Sequence, residues 1–400
     1  MKASPGKWRV LIIVENLPCP FDRRVWQEAL ALRAQGHEVS IICPKGRGYD
    51  RSYELLEGVH VHRHRLPLEA DSALGYGLEY ALALCMEFML ALRVALTRGF
   101  DVIHGCNPPD TIFLIGRFFK LFGKRFIFDH HDINPELYEA KFGRRDVWYR
   151  LLRRLERWTF AAADASIATN ESYRRIAIER GGMAPERVFV VRSGADLNRV
   201  RVAAARPELR RGRRHLVGYV GVIGKQEGLD LLLRAVAHMR RTLQRDDTHF
   251  VIVGDGTELA SIRRLAHELG VDDCVEFTGR IADGALWEIM STADVCVNPD
   301  RANEMNDKST MNKILEYMAL GKPIVQFDLT EGRFSAGPAS LYARPNDVAD
   351  FALKLCELLD DPLRRESMGA IGRKRIETSL AWHHQVPRLL EAYEAAMKGA

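Results

Sequence analysis

Twelve short runs rich in β-branched and aromatic residues recur along the chain, most of them separated by enough sequence for a helix. They are 8–15 (WRVLIIVE), 38–44 (EVSIICP), 59–63 (VHVHR), 101–105 (DVIHG), 125–129 (RFIFD), 164–169 (DASIAT) and 187–192 (RVFVVR), then 215–221 (HLVGYVG), 249–254 (HFVIVG), 274–279 (CVEFTG), 293–298 (ADVCVN) and 323–327 (PIVQF). Continuous apolar runs of this length suit parallel strands covered on both faces, and several of the segments between them have helical periodicity. The pattern predicts an α/β chain of two successive doubly wound (Rossmann-like) domains facing a cleft. In such pairs, ligands lie where strand C-terminal ends and helix N-termini meet.

The chain has 400 residues, 47% of them apolar and 28% charged, enough for two separate cores. Between the two sets of strands runs LNRVRVAAARPELRRGRRHL, which is basic and lacks an apolar period, a linker composition. The reading is a first domain over 1–196, a linker over 197–214, a second domain over 215–381, and a final amphipathic helix over 382–400. The seven cysteines are scattered with no C-x-x-C pair, so neither a disulfide framework nor a structural metal is expected, and the setting reads as reducing and cytoplasmic. The N-terminal segment has too short an apolar core for a signal peptide and reads as a first strand. The most apolar window, YGLEYALALCMEFMLALRVAL, is interrupted by Glu79, Glu87 and Arg93 and reads as a buried helix rather than a membrane span. Positive charge is concentrated early: about +6 net over residues 1–200 and about −1 over the rest.

Candidate chemistry lies in loops that follow strands. GYVGVIGKQEGLD places three glycines and Lys225 between a strand and a helix, a layout that brings amides and one ammonium to a phosphate; a purely structural turn is the other reading. DKSTMNKILEYMALGKPIV reads as loop, helix, strand. Ser309 or Thr310 caps the helix, Gly321 occupies the left-handed position after it and Pro323 stops it. The amides of Ser309, Thr310, Met311 and Asn312 then form an anion site, and Glu316 in the second turn is either a surface glutamate or an acceptor for two vicinal hydroxyls.

In the first half, FIFDHHDINPELY ends a strand in Asp129, His130, His131 and Asp132. Neighbours on a strand point to opposite faces, so a metal shared by the two histidines is not expected, and one histidine donating a hydrogen bond to a polar substrate is. Pro20 and Phe21 stiffen the loop before the first helix. Arg23 and Arg24 after it read as phosphate ligands or, in preference, a solvated first turn. Residues 141–158 interleave arginines with Trp148, Tyr149 and Trp158, the composition of a basic helix on an anionic membrane, with a solvated charged face as the alternative. Nothing resembles a nucleic-acid-reading motif.

In order along the chain, PFDRRVWQEALALRAQGHEVSIICP, DVIHGCNPPD, DHHDINPELY, VGDGTEL, VEFTGRI, ADVCVNPD and STMNKILEYMALGKPIV resemble the GT-B fold glycosyltransferases of family 4. That resemblance implies retaining transfer of a sugar from a nucleotide diphosphate donor, UDP- or GDP-linked, held by the second domain. The acceptor, a glycan or polyprenyl-diphosphate-linked sugar of cell-surface polysaccharide assembly, is held by the first. It also implies that the last helix crosses back onto the first domain. It matches Glu316 to a ribose-binding glutamate, Gly279 and Arg280 to a base-contacting turn, and His131 to a residue at the donor sugar. The chain departs from the family where its first glutamate of E-x7-E is Lys308, beside Asp307, and where a loop arginine and lysine are Val222 and Glu227, leaving Lys225 as the nearby cation. Asp307 and Lys308 are therefore the expected substitutes at the donor sugar. With no D-x-D in the chain, transfer is expected to need no metal and no cofactor. A nucleotide-sugar 2-epimerase-like enzyme and a non-catalytic sugar-nucleotide-binding subunit are the alternatives.

Overall fold

The computed structural model describes residues 6–65 and 73–398, without the side chains of 73–79, so the side chain of Glu79 and the end of the expected last helix lie outside what is described. The chain forms two compact units, one of residues 1–192 with 385–400 and one of residues 193–384.

In the first unit eight strands lie in the order β3-β4-β2-β1-β5-β6-β7-β8. Their ranges are β1 Arg9–Ile13, β2 Glu38–Pro44, β3 Tyr53–Leu56, β4 Val59–His64, β5 Val102–Cys106, β6 Arg125–His130, β7 Ala165–Ala168 and β8 Val188–Val190. All pair in parallel except β3, which runs antiparallel to β4 at the edge. The helices are α1 Arg23–Ala34, α2 Ala73–Thr97, α3 Phe113–Lys120, α4 Asn134–Phe142, α5 Val147–Ala162 and α6 Glu171–Arg175. Asp22 starts α1 by accepting from the Val25 amide at 3.1 Å, and Asp146 starts α5 by accepting from Trp148 and Tyr149. Right-handed crossovers place α1 on one face of the sheet and α2, α3 and α5 on the other.

The second unit holds six parallel strands in the order β11-β10-β9-β12-β13-β14: β9 His215–Val220, β10 Thr248–Val253, β11 Val275–Gly279, β12 Val295–Asn298, β13 Ile324–Phe327 and β14 Ser340–Ala343. Its helices are α7 Leu229–Arg241, α8 Leu259–Glu268, α9 Asp283–Thr292, α10 Glu304–Lys308, α11 Asn312–Ala319, α12 Thr330–Ala336, α13 Val348–Asp360 and α14 Pro362–Arg375. Apolar side chains of α7 and α13 fill one face of this sheet and those of α9 and α11 the other.

Three features differ from the sequence expectations. The edge strands β3 and β14 are additional, each only four residues long. The expected linker is folded onto the second unit: the amides of Ala203 and Arg206 donate to the hydroxyls of Ser291 and Thr292, and Arg206 pairs with Glu288 at 2.7 Å. Its arginines, which read as linker composition, are spent on carboxylates. Third, α2 is not a buried helix, since only 22% of the window Tyr80–Thr97 is buried. The last helix, α15 Trp382–Lys398, joins the first unit from Gln385 onward, where the Gln385 side chain accepts from the Arg192 amide at 3.2 Å.

The strand ends of the second unit are pressed together. A Cβ on Gly254 would stand 1.8 Å from the Gly221 carbonyl oxygen, and the residue holds φ +143. Gly254→Ala should therefore cost about 2 kcal/mol or more by combining clash and backbone strain. Chemical unfolding of the full chain reads it as a lowered midpoint at unchanged slope.

Candidate functional site

Each unit presents one cluster at the C-terminal ends of its strands. In the first, strand alternation sends Asp129 and His131 to one side and His130 to the other, where His130 faces Glu156 at 3.6 Å. Asp129 is fully buried and gathers polar partners: His131 Nε2 at 2.6 Å, Arg24 at 3.0 Å and His104 Nε2 at 3.2 Å. The same Arg24 guanidinium pairs with buried Glu28 at 3.1 Å and donates to the Val191 carbonyl at 2.9 Å. His104 completes the cluster by its Nδ1 contact, 2.7 Å, with the Tyr393 hydroxyl of α15. The expectation that Arg24 is solvated is thus corrected. It sits one helical turn before Glu28, and that i,i+4 pair is drawn inward to neutralise Asp129.

Burial opposes every charge here, and the outcome follows from the partners. Arg24 and His131 overcome desolvation and hold the Asp129 carboxyl well below its usual range. Desolvation would lower His131, but Asp129 outweighs it and raises the imidazole. Burial and the Asp129 charge push Glu28 up from 4.5 to about 7. His131 Nε2 also lies 3.1 Å from Arg24 Nε. It cannot accept there while donating to Asp129, and the shorter Asp129 contact takes the proton.

Asn107 holds the backbone of this turn. Its side-chain oxygen accepts from the amides of His131 at 2.7 Å and Asp132 at 3.1 Å, and its amide nitrogen donates to the Asp132 carbonyl and to Asp110. Burial raises the Asp132 carboxyl. Phe21 lies under the Arg47 guanidinium at 5.7 Å, and Pro20 is half-buried. Glu28, Asp129 and His131 have ligand geometry for a metal, as do His104, Cys106 and Asp129. The Arg24 guanidinium already supplies the positive charge between Glu28 and Asp129, so the donor set fits an arginine better than a metal ion.

In the second unit, β9 runs into a turn, Lys225–Glu227, that ends at Gly228, from which α7 starts. Lys225 is exposed on it. The α11 start adjoins this loop: Tyr317 accepts from the Val220 amide at 2.9 Å, and Lys313 lies 4.9 Å over the Tyr219 ring while pairing with buried Asp300 at 2.7 Å. Glu227 has one buried oxygen without a hydrogen-bond partner, and burial raises its carboxyl. Met311 precedes α11 in an extended conformation without a capping side chain, so Asn312 begins a helix whose first turn faces outward uncapped.

Glu316 lies one turn in, 16% exposed, with Arg199 at 3.3 Å; Arg199 also reaches Asp283 at 3.2 Å and stacks over Trp287. Gly279 ends β11 at φ +68, as a tight turn requires, and Arg280 beside it is exposed. Gly321 holds the left-handed position after α11.

The residue that directly precedes α11 is Met311, rather than Ser309 or Thr310. Ser309 instead closes the short α10, its amide donating to the Asn306 carbonyl and its hydroxyl to that of Met305. Asp307 accepts from both the amide and the hydroxyl of Thr330, so its carboxylate caps α12. Lys308 pairs with Glu304 at 2.6 Å along α10. Sequence reasoning missed Arg199, Asp300 and Lys313. Only Lys313 carried a signal, as a cation in the first turn of the helix.

The family described as "Glycosyltransferase Family 4" matches residues 22–199, and "Glycosyl transferases group 1" matches residues 214–361. A D-inositol 3-phosphate glycosyltransferase of Thermomonospora curvata is 32% identical over 255 residues, 59% of this chain and 58% of that protein, so the match spans little more than half of the relative. Sucrose-phosphate synthase from Thermosynechococcus elongatus superposes with a TM-score of 0.81 at 20% identity, covering 98% of this chain and all of that one. Anabaena Alr3699/HepE, solved with UDP-glucose, gives 0.71 at 15% identity over 97% of this chain and 100% of that one. The chain therefore belongs to the GT-B glycosyltransferases, with a family 4 domain followed by a group 1 domain.

Two predictions follow the charges. In the first unit, a folded-state Glu28 raised from 4.5 to about 7 binds a proton that the unfolded chain has lost, and a raised His131 acts in the same direction. The stability from both is present at low pH; the Glu28 part is lost as pH rises through about 7, and the His131 part is lost as pH rises above the ordinary imidazole range. The melting temperature of the wild type minus that of Glu28→Gln should fall from about pH 5 to about pH 8. In the second unit, Lys313→Ala strands buried Asp300 and should cost roughly 3 kcal/mol. Lys313→Met with Asp300→Asn should recover most of the lost unfolding midpoint.

Proposed function

We propose that the protein is a retaining glycosyltransferase that moves a sugar from a UDP- or GDP-linked donor to a hydroxyl of a glycan or lipid-linked acceptor in cell-surface polysaccharide synthesis. It works at the cytoplasmic face of the membrane and needs no metal. The observation that carries this reading is the uncapped start of α11 beside the β9 loop, with Glu316 one turn in. Amides of Met311 and Asn312, with Lys225, face the diphosphate, and their positive potential stabilises the charge that builds on it as the glycosidic bond breaks. Lys313 balances buried Asp300 behind them. Glu316 accepts from the ribose hydroxyls, while Gly279 and Arg280 line the base. A protein of the same fold that was solved with UDP-glucose supports a nucleotide-sugar donor.

On the first unit, His131 donates to the sugar through Nδ1, while its Nε2 proton is held by Asp129. Asp307 and Lys308 serve the donor sugar indirectly, Asp307 by fixing α12 and Lys308 by holding α10 through its pair with Glu304. The acceptor hydroxyl attacks on the face from which the diphosphate departs, and the diphosphate receives its proton.

Thermal denaturation with UDP-, GDP- and ADP-sugars tests the donor site. One nucleotide class should raise the melting temperature, with about 2.7 kcal/mol of added stability at a hundredfold excess over Kd. Glu316→Ala should abolish the rise while leaving the unliganded transition in place. No shift with any nucleotide sugar, or an equal shift in Glu316→Ala, contradicts the proposal.

A further inference from the structure

The 25-residue helix α2, about 37 Å long, is apolar enough to cross a membrane, yet it packs along β2 and β4 by a single stripe. Ala83, Glu87, Ala91 and Val94 are buried, spaced by four, four and three residues. The opposite stripe, Leu82, Cys85, Met89 and Leu96, faces outward, with Met89 65% and Leu96 87% exposed. A helix held to a protein sheet on one side and apolar on the other calls for two apolar partners, and the described residues of the first unit supply one.

The exposed stripe continues on its neighbours. Phe88 of α2 meets Phe118 of α3 edge to face at 4.9 Å, and Phe113 of α3 meets Trp158 of α5 at 6.1 Å, so the three helices form one layer on the same face of the sheet. Leu121 and Phe122, just past α3, are 81% and 64% exposed, and Trp158 is 49% exposed. Around these apolar residues stand exposed arginines: Arg93 on α2, Arg117 on α3, and Arg150, Arg154 and Arg157 on α5, the last three at helical spacing. Scattered exposed leucines are ordinary, but a continuous apolar layer rimmed by cations is not.

We infer that the outer surface of the α2–α3–α5 layer is a membrane-docking face that seats on an anionic bilayer. The apolar stripe of α2 enters the headgroup–acyl boundary, and the arginines of α5 contact anionic headgroups. The cations decide between a lipid surface and a second copy of the chain, because two identical faces would set these arginines against each other. The expected basic helix over residues 141–158 is thereby one part of a wider surface whose apolar component is α2. Docking rests on no assumption about the sugar donor.

Flotation of the full chain with phosphatidylcholine vesicles, with and without phosphatidylglycerol, tests the inference. The wild type should float with the anionic vesicles and remain behind with the neutral ones, and salt should release it. Arg150→Gln with Arg154→Gln should weaken binding about fivefold per arginine removed. Met89→Glu with Leu96→Glu should abolish flotation, while the melting temperature and its shift with nucleotide sugar stay those of the wild type. Equal flotation with neutral vesicles, or flotation unchanged in the α2 variant, overturns the inference. So does a dimer in solution that Met89→Glu dissociates and that does not float.

Discussion

A carboxylate taken fully out of water must be given counter-charge, and in the first unit Asp129 sets that requirement. It lies at the end of β6 with no exposure, and Arg24, His104 and His131 converge on it from α1, β5 and the turn that follows β6. Meeting it fixes the first turn of α1, keeps the His131 imidazole charged to a higher pH, and draws Tyr393 of the last helix against His104. Glu28 is the consequence: a second acid in the same pocket, which the Asp129 charge keeps partly protonated near neutral pH. Removing one partner from such a cluster leaves charge buried without compensation, which costs far more than the pairing itself contributes.

The second unit solves the same problem on a smaller scale. Asp300 at the end of β12 is neutralised by Lys313, and Tyr317 one turn later ties α11 to β9 through the Val220 amide. These two contacts aim the first turn of α11 outward beside the β9 loop. The proposed function rests on these helix amides, which lie beside a loop whose glycines allow close backbone approach, as the place for the donor diphosphate. Asp307 and Thr330 hold the far side by capping α12.

Much of this was legible in the sequence, for reasons that differ by element. Strands such as β1 and β10 are buried on both faces and declare themselves as continuous apolar runs, whereas β3, with alternating exposure, and the four-residue β14 carry too little pattern to register. The α11 helix and its Gly321 stop were readable because periodicity and a left-handed glycine are local properties. Its start was misplaced because Ser309 caps well in isolation, and only the tertiary placement of α10 shows that its hydroxyl is already engaged. Arg24 read as solvated because nothing local tells an inward arginine from an outward one; its partner Asp129 lies 105 residues away. The α2 helix was misjudged because apolar composition says that a helix needs a low-dielectric neighbour, not that the neighbour is protein.

The central claim is that this chain breaks the bond between a sugar and a nucleoside diphosphate and delivers the sugar to an acceptor hydroxyl. Incubation of the full chain with single nucleotide sugars, with and without a membrane lipid and glycan extract, tests it when the freed nucleoside diphosphate and the extended acceptor are followed together by mass spectrometry. The account predicts that the diphosphate and an acceptor heavier by one sugar appear in step, and only when the extract is present. Conversion of the donor to an isomer without acceptor, or no release from any nucleotide sugar, would contradict it.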